Sequence, residues 1–116
     1  TTFGGHPVSC AAALATFNEL QNSTIIESVV RKRNLFENHL KHPKIKKIHG
    51  IGLMIAIELE NEKYCQDIVK QLLENGVITF YFLFNRNNMR ISPPLTIKEK
   101  EILQACHIIQ EVLDNY

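Results

Sequence analysis

A two-layer α/β sandwich, in which amphipathic helices cover a small, largely antiparallel sheet, is the fold class this sequence predicts. Three observations predict it. Short strand-like runs, at residues 53–59 with a two-residue period and at 77–82 and 89–92 by β-prone composition, alternate with stretches of helical period. The last two runs are joined by the polar turn Asn85-Arg86-Asn87-Asn88, short enough for a hairpin. The 116 residues, 45% apolar and 22% charged, suit one ordinary domain with its own core and do not resemble a disordered chain.

Each element has a local reason. Pro7 suits the first position of a helix, where its missing N–H and fixed φ cost nothing. The Ala-rich stretch Val8 to Phe17 is apolar nearly all round, which predicts a helix buried on several sides, and Asn22-Ser23 ends it. Thr24 and Glu27 form a Thr-x-x-Glu capping box ahead of a second helix. It carries Ile25, Val29, Phe36 and Leu40 at helical spacing and runs to about His42, before Pro43. Leu53, Ile55, Ile57 and Leu59 alternate as one face of a strand, and Gly50 and Gly52 before it predict a bend or a close backbone approach. Asn61 caps a third helix with the stripe Cys65, Ile68, Val69 and Leu72, and Asn75-Gly76 supplies its left-handed stop. Val77 to Phe82 reads as a strand, and Met89 to Ser92 as a shorter one ended by Pro93-Pro94. Thr96 and Glu99 make a second capping box, and Ile102, Ala105, Cys106, Ile109 and Leu113 line one face of the last helix. The predicted order is α-α-β-α-β-β-α.

Charge and cysteine usage narrow the function classes. Thirteen Lys and Arg against twelve Asp and Glu leave a net charge of +1, which excludes a strongly acidic or basic protein. No apolar run approaches the ~20 residues of a membrane helix, and no signal-peptide pattern opens the chain, so it reads as soluble and intracellular. Cys10, Cys65 and Cys106 are odd in number and lack C-x-x-C spacing, against a disulfide framework or a thiolate zinc site. Each is expected on a helix as a small buried apolar group. Between residues 31 and 49, Arg31, Lys32, Arg33, Lys41, Lys44, Lys46 and Lys47 are opposed only by Glu37. The one aromatic residue in the stretch, Phe36, belongs to the apolar stripe and no others interleave to stack bases, so a solvated helix face and loop is a plainer reading than a nucleic-acid surface. His39-x-x-His42 places two imidazoles on one helix face, but no neighbour at a recognised spacing completes a zinc site.

Two places carry binding chemistry. In Thr1-Thr2-Phe3-Gly4-Gly5-His6-Pro7, two hydroxyls, two glycines and a helix N-terminus converge. Hydroxyls donate to anionic oxygens, glycines let a large group approach, and a helix start favours negative charge, so phosphate is the natural guest. A plain turn before a helix accounts for the same residues equally well. Arg90 lies between Met89 and Ile91 in a short strand and points to the face opposite them. With Pro93-Pro94 stiffening the backbone, its planar guanidinium suits a two-pronged grip on a carboxylate, the alternative being a solvent-facing arginine. No Ser/His/Asp or Cys/His arrangement and no Walker or Rossmann glycine pattern is present, so a complete active site is not visible.

Four stretches in order resemble the class III pyridoxal-phosphate aminotransferases, the group containing ornithine, acetylornithine and 4-aminobutyrate aminotransferases. They are Thr-Thr-Phe-Gly-Gly-His-Pro-Val-Ser-Cys-Ala-Ala-Ala at 1–13, Ile48-His49-Gly50-Ile51-Gly52-Leu53-Met54, Asn75-Gly76-Val77-Ile78, and Met89-Arg90-Ile91-Ser92-Pro93-Pro94-Leu95. The resemblance covers essentially the whole chain and falls on the family's C-terminal portion. It implies that residues 1–22 are a loop and helix from the end of the large domain, and that 23–116 are the C-terminal small α/β domain of a fold-type I enzyme.

The resemblance also implies roles. Thr2 hydrogen-bonds the phosphate of pyridoxal 5'-phosphate across a dimer interface, Thr1 lies near substrate, and Arg90 binds the substrate carboxylate. The parent is a cytoplasmic homodimer with shared active sites that moves an amino group between an amino acid, or an ω-amino donor, and a 2-oxo acid, with no nucleic-acid or membrane partner. Two positions depart from the family: His6 stands where Asn is usual, and His49 where Arg is usual, which predicts altered local hydrogen bonding and a narrower choice of substrate. The Schiff-base lysine and the aspartate of the cofactor ring lie upstream of Thr1 in this family. The chain also opens without methionine in the middle of a functional loop, so a fragment inactive by itself is expected. A non-catalytic interaction or regulatory module on the same fold is the alternative.

Overall fold

The computed structural model describes residues 2–116. Helix α1 spans Pro7–Asn22 and α2 Ile25–His39; strands β1, Lys47–Ile51, and β2, Met54–Glu58, follow as a hairpin. Then come α3, Glu62–Glu74, the short β3, Phe80–Tyr81, β4, Asn88–Ile91, and α4, Glu99–Asn115. The four strands form one antiparallel sheet in the order β1-β2-β4-β3. Three helices cover one face. Phe36 and Leu40 at the end of α2, Cys65, Ile68 and Leu72 from α3, and Ile102, Cys106, Ile109 and Leu113 from α4 bury against Ile55, Ile57, Met89 and Ile91 of the sheet. This is the two-layer α/β architecture that the alternating periods predict, and the predicted stripes of α3 and α4 are its core.

The predicted order lacks a strand. β1 is an edge strand whose five residues include Lys47, His49 and Gly50, none of them a strand former by composition, and it exists because β2 offers it a partner. Gly50 and Gly52 do what the sequence suggests. Gly50 sits at φ 110°, and a Cβ there would meet the Met54 carbonyl oxygen at 1.9 Å; Gly52 turns the hairpin at φ 54°. β3 is shorter than the predicted run from Val77: only Phe80 and Tyr81 pair with β4, and continuing that register sets Val77 opposite Pro93, which has no N–H to give.

Caps sort the helices. Asn61 Oδ1 accepts from Tyr64 N at 2.9 Å, as predicted. At the other end of α3, Gly76 at φ 82° lets Val77 N–H reach Leu72 O (2.8 Å) and Gly76 N–H reach Leu73 O (3.1 Å), a Schellman stop. The predicted box at Thr24 does not form: Thr24 makes no side-chain cap, and Ser23 Oγ instead accepts from Ile25 N at 3.4 Å. The box predicted at Thr96 lies two residues later, where Glu101 accepts from Lys98 N–H at 2.7 Å. α2 ends at His39, so His42 has left the helix and shares no face with His39. His42 Nδ1 accepts from Lys44 N and its Nε2 donates to Asp114 at 3.0 Å.

α1 differs from the expectation of burial. None of its residues is buried, and Val8, Leu14 and Phe17 are exposed. Cys10 therefore stands in solvent, while Cys65 and Cys106 are buried as predicted. Burial pushes those two thiols up to about 11 and about 12.

Candidate functional site

The face of the sheet away from the helices is open, and the register decides what stands on it. His49 pairs with Ala56, Ala56 with Arg90, and Arg90 with Phe80. Directly opposed residues share a face, so His49, Ala56, Arg90 and Phe80 form one row across all four strands. Met89 and Ile91, the neighbours of Arg90 in sequence, point into the core, which confirms the facing read from the period. The guanidinium lies 5.3 Å from the Phe80 ring centroid, a cation–π contact that leaves its N–H edge available. Among the described residues Arg90 has no acidic partner, whereas Arg31, Arg33 and Arg86 pair with Glu99, Glu37 and Glu62.

A cavity of about 270 Å³ opens on this face, lined by Gly50, Met54, Ala56, Phe82, Ser92 and their neighbours; Arg90 and His49 border it, and its surface is almost wholly apolar. His49 is held twice. Its Nε2 donates to Glu58 Oε2 at 3.0 Å, and its carbonyl accepts from Arg33 Nη1 at 3.3 Å. The neighbouring Lys32, only 8% exposed, donates its ammonium to Leu95 O at 2.5 Å, on the loop just past Pro93-Pro94. Adjacent residues of α2 thus tie down both the strand carrying His49 and the loop that follows Arg90.

Sequence reasoning missed Glu58, Phe80, Lys32 and Arg33 as parts of this neighbourhood. Strand parity places Glu58 opposite the apolar face of β2, but only the β1-β2-β4 register sets it beside His49 and in the same layer as Arg90. Lys32 and Arg33 read as members of a basic stretch. In the structure that stretch is mostly spent on internal bonds, with Lys44 donating to Leu113 O at 2.6 Å and Lys46 to Glu60 O at 3.3 Å.

The opening loop forms a turn over Thr2 to Gly5, and Pro7 begins α1 as predicted. Gly5 takes φ 79°, and His6 N–H closes on Phe3 O at 3.3 Å. No side chain caps the helix and no acidic residue lies in its first turn, so the N–H groups of Val8 and Ser9 remain as donors, and Thr2, in the turn before them, is exposed. That donor set fits a phosphate: neutral N–H and O–H groups, the positive end of a helix, and no nearby anion. Thr1 lies outside the described residues. Neither cavity lined by Arg90 includes Thr2 or any other described residue before Phe36.

Comparison with known proteins brings these features under one heading. Residues 1–113 match the family model described as Aminotransferase class-III. The chain is 36% identical to the acetylornithine aminotransferase of Caldanaerobacter subterraneus subsp. tengcongensis over 97% of its own length and 29% of that protein. It is 35% identical to ornithine aminotransferase 1 of Staphylococcus aureus, over 99% of the chain and 29% of the relative. Among solved structures, the acetylornithine aminotransferase of Elizabethkingia anophelis superposes with a TM-score of 0.90 at 29% identity, covering 100% of this chain and 32% of that one. The ornithine aminotransferase of Toxoplasma gondii gives 0.86 at 30% identity, over 99% and 28%. The chain thus spans less than a third of the relatives it matches.

Proposed function

Because the chain belongs to the class-III aminotransferase family, we propose that it is the C-terminal part of a pyridoxal-phosphate-dependent transaminase that moves an amino group between an amino acid or ω-amino donor and a 2-oxo acid. On this reading residues 1–22 are the last loop and helix of a large domain, and 23–116 are the small domain. A protruding α1 with no buried residue supports that division. The enzyme works in the cytoplasm, where the buried thiols of Cys65 and Cys106 stay reduced.

Arg90 carries the proposal. It is a guanidinium on a rigid strand, unpaired by any acid among the described residues, stacked on Phe80 and facing an apolar cavity. A substrate carboxylate accepts two parallel N–H bonds there, which orients the carbon next to it for proton transfer. Thr2, with the N–H groups of Val8 and Ser9, receives the phosphate of the cofactor bound to the neighbouring subunit of a homodimer, and Thr1 completes that loop near substrate. The cofactor, when bound, supplies the electron sink for the reaction. The residues here bind and orient; they do not supply the lysine that carries it.

Two measurements test this. In the full-length enzyme, Arg90→Met raises KM for the carboxylate substrate roughly 10- to 100-fold, from the loss of a charged hydrogen-bond pair of roughly 1.5–3 kcal/mol; an unchanged KM refutes the role. The chain alone, mixed with pyridoxal phosphate and reduced with borohydride, yields no one-to-one adduct at a single lysine by mass spectrometry. Such an adduct, or transaminase turnover by the chain, overturns the assignment of the Schiff-base lysine to other polypeptide.

A further inference from the structure

Arg90 is held by a partner that leaves both its charge and its hydrogen-bonding edge in place. Arg31, Arg33 and Arg86 each sit against a glutamate, which offsets the charge and occupies N–H donors. Arg90 instead has Phe80, directly opposite it on the neighbouring strand, with the guanidinium carbon 5.3 Å from the ring centroid. A ring face attracts the cation through its quadrupole and takes none of the five N–H groups. The contact therefore restricts a long, flexible side chain while its donors remain free for an anion.

Local structure aims the ring. Thr79 is buried, only 5% exposed, whereas Ile78 and Phe80 on either side of it are exposed, so strand parity turns Phe80 to the open face with Arg90. Phe80 is one of only two residues of β3, Phe80 and Tyr81, that pair with β4, and this register fixes it opposite Arg90 rather than one position along. At 53% exposure the ring lies outside the core, so the fold does not depend on it.

We propose that Phe80 is a positioning residue for Arg90. Its ring holds the guanidinium in place before a ligand arrives, so a carboxylate loses less conformational freedom on docking. The inference rests on Arg90 as the carboxylate anchor and assigns the side chain that preorganises it.

The test is inhibition of the full-length enzyme by pentanoate, a carboxylate with no second polar group. Expected is an inhibition constant about two- to fivefold weaker in Phe80→Leu, the scale of one exposed cation–π contact, and within about twofold of the unaltered enzyme in Phe80→Tyr, which keeps the ring. In the chain itself, the ring current of Phe80 displaces the Arg90 Nε–H resonance. That displacement is lost in Phe80→Leu and kept in Phe80→Tyr, the fold being checked by the dispersion of the same spectra. A weakening that Phe80→Tyr shares, none in Phe80→Leu beside a clear effect of Arg90→Met, or an Arg90 resonance that Phe80→Leu leaves in place overturns the role of Phe80 and leaves the anchor standing. Absence of inhibition by pentanoate, or inhibition that survives Arg90→Met, overturns the anchor itself and this inference with it.

Discussion

At the scale of single residues, environment rather than identity separates the three cysteines. Cys10 lies on an exposed helix, while Cys65 and Cys106 are sealed between α3, α4 and the sheet, where a thiolate would lose its hydration. Cys10 is therefore expected to react with a thiol reagent at once, and the other two only as fast as the chain unfolds, which stopped-flow labelling resolves. The raised values also set a pH dependence. Below an ordinary thiol value of 9.0 both states keep their protons; above it the unfolded chain releases protons that the fold retains up to about 11 and about 12. Stability from these groups is thus complete below about pH 9 and declines as pH rises. Urea midpoints at pH 8 and pH 10 should show the fall, and the double variant Cys65→Ala/Cys106→Ala should show less of it.

Elements are decided by their ends. Asn61 makes the cap of α3 and Thr24 makes none for α2, although both belong to the favoured residue types. Asn61→Ala should cost about 1 kcal/mol, and Thr24→Ala a few tenths at most; denaturation curves of the two variants separate them. The glycines divide the same way. Gly50 combines φ 110° with a backbone oxygen 1.9 Å from any added Cβ, so Gly50→Ala must open the β1–β2 hairpin and should cost about 3 kcal/mol or more. Gly76 has the positive φ but open space around it, so Gly76→Ala should cost only about 1–2 kcal/mol, the penalty of the left-handed conformation. Because β1 carries His49, loss of the hairpin would also disperse the site.

For the molecule as a whole, the core and the first helix are independent. The sixteen residues of α1 bury nothing, so removing residues 1–22 should leave cooperative unfolding within about 0.5 kcal/mol of the whole chain. A large loss on truncation would mean that α1 is packed in solution. The exposed apolar surface continues on the open sheet face, where Ile51, Met54 and Phe80 stand uncovered, and at the β3–β4 tip with Leu83 and Phe84. Patches of this kind on one molecule mark surfaces that something else covers. This agrees with a chain spanning about 29% of its relatives' length and with the proposal that the site is completed by other polypeptide.

Periodicity and turn chemistry were sufficient for most of the fold. The stripes of α3 and α4, the inward face of β2, the Asn61 cap and the Gly76 stop are local consequences of residue type, and each depends on neighbours within four or five positions. So does the outward facing of Arg90, since parity along a strand needs no knowledge of the partner strand. What neighbours in sequence cannot specify is register. His49, Glu58, Arg90 and Phe80 share one face only because β2 lies between β1 and β4, and β4 between β2 and β3, pairings across as many as 36 residues. Lys32 likewise looks like surface charge until packing brings Leu95 over it. The exposure of α1 was equally hidden, because an apolar helix encodes the need for a cover but not whether that cover lies within the same chain. Hydrophobic pattern determines which face turns inward; long-range pairing alone decides which side chains share the outward one.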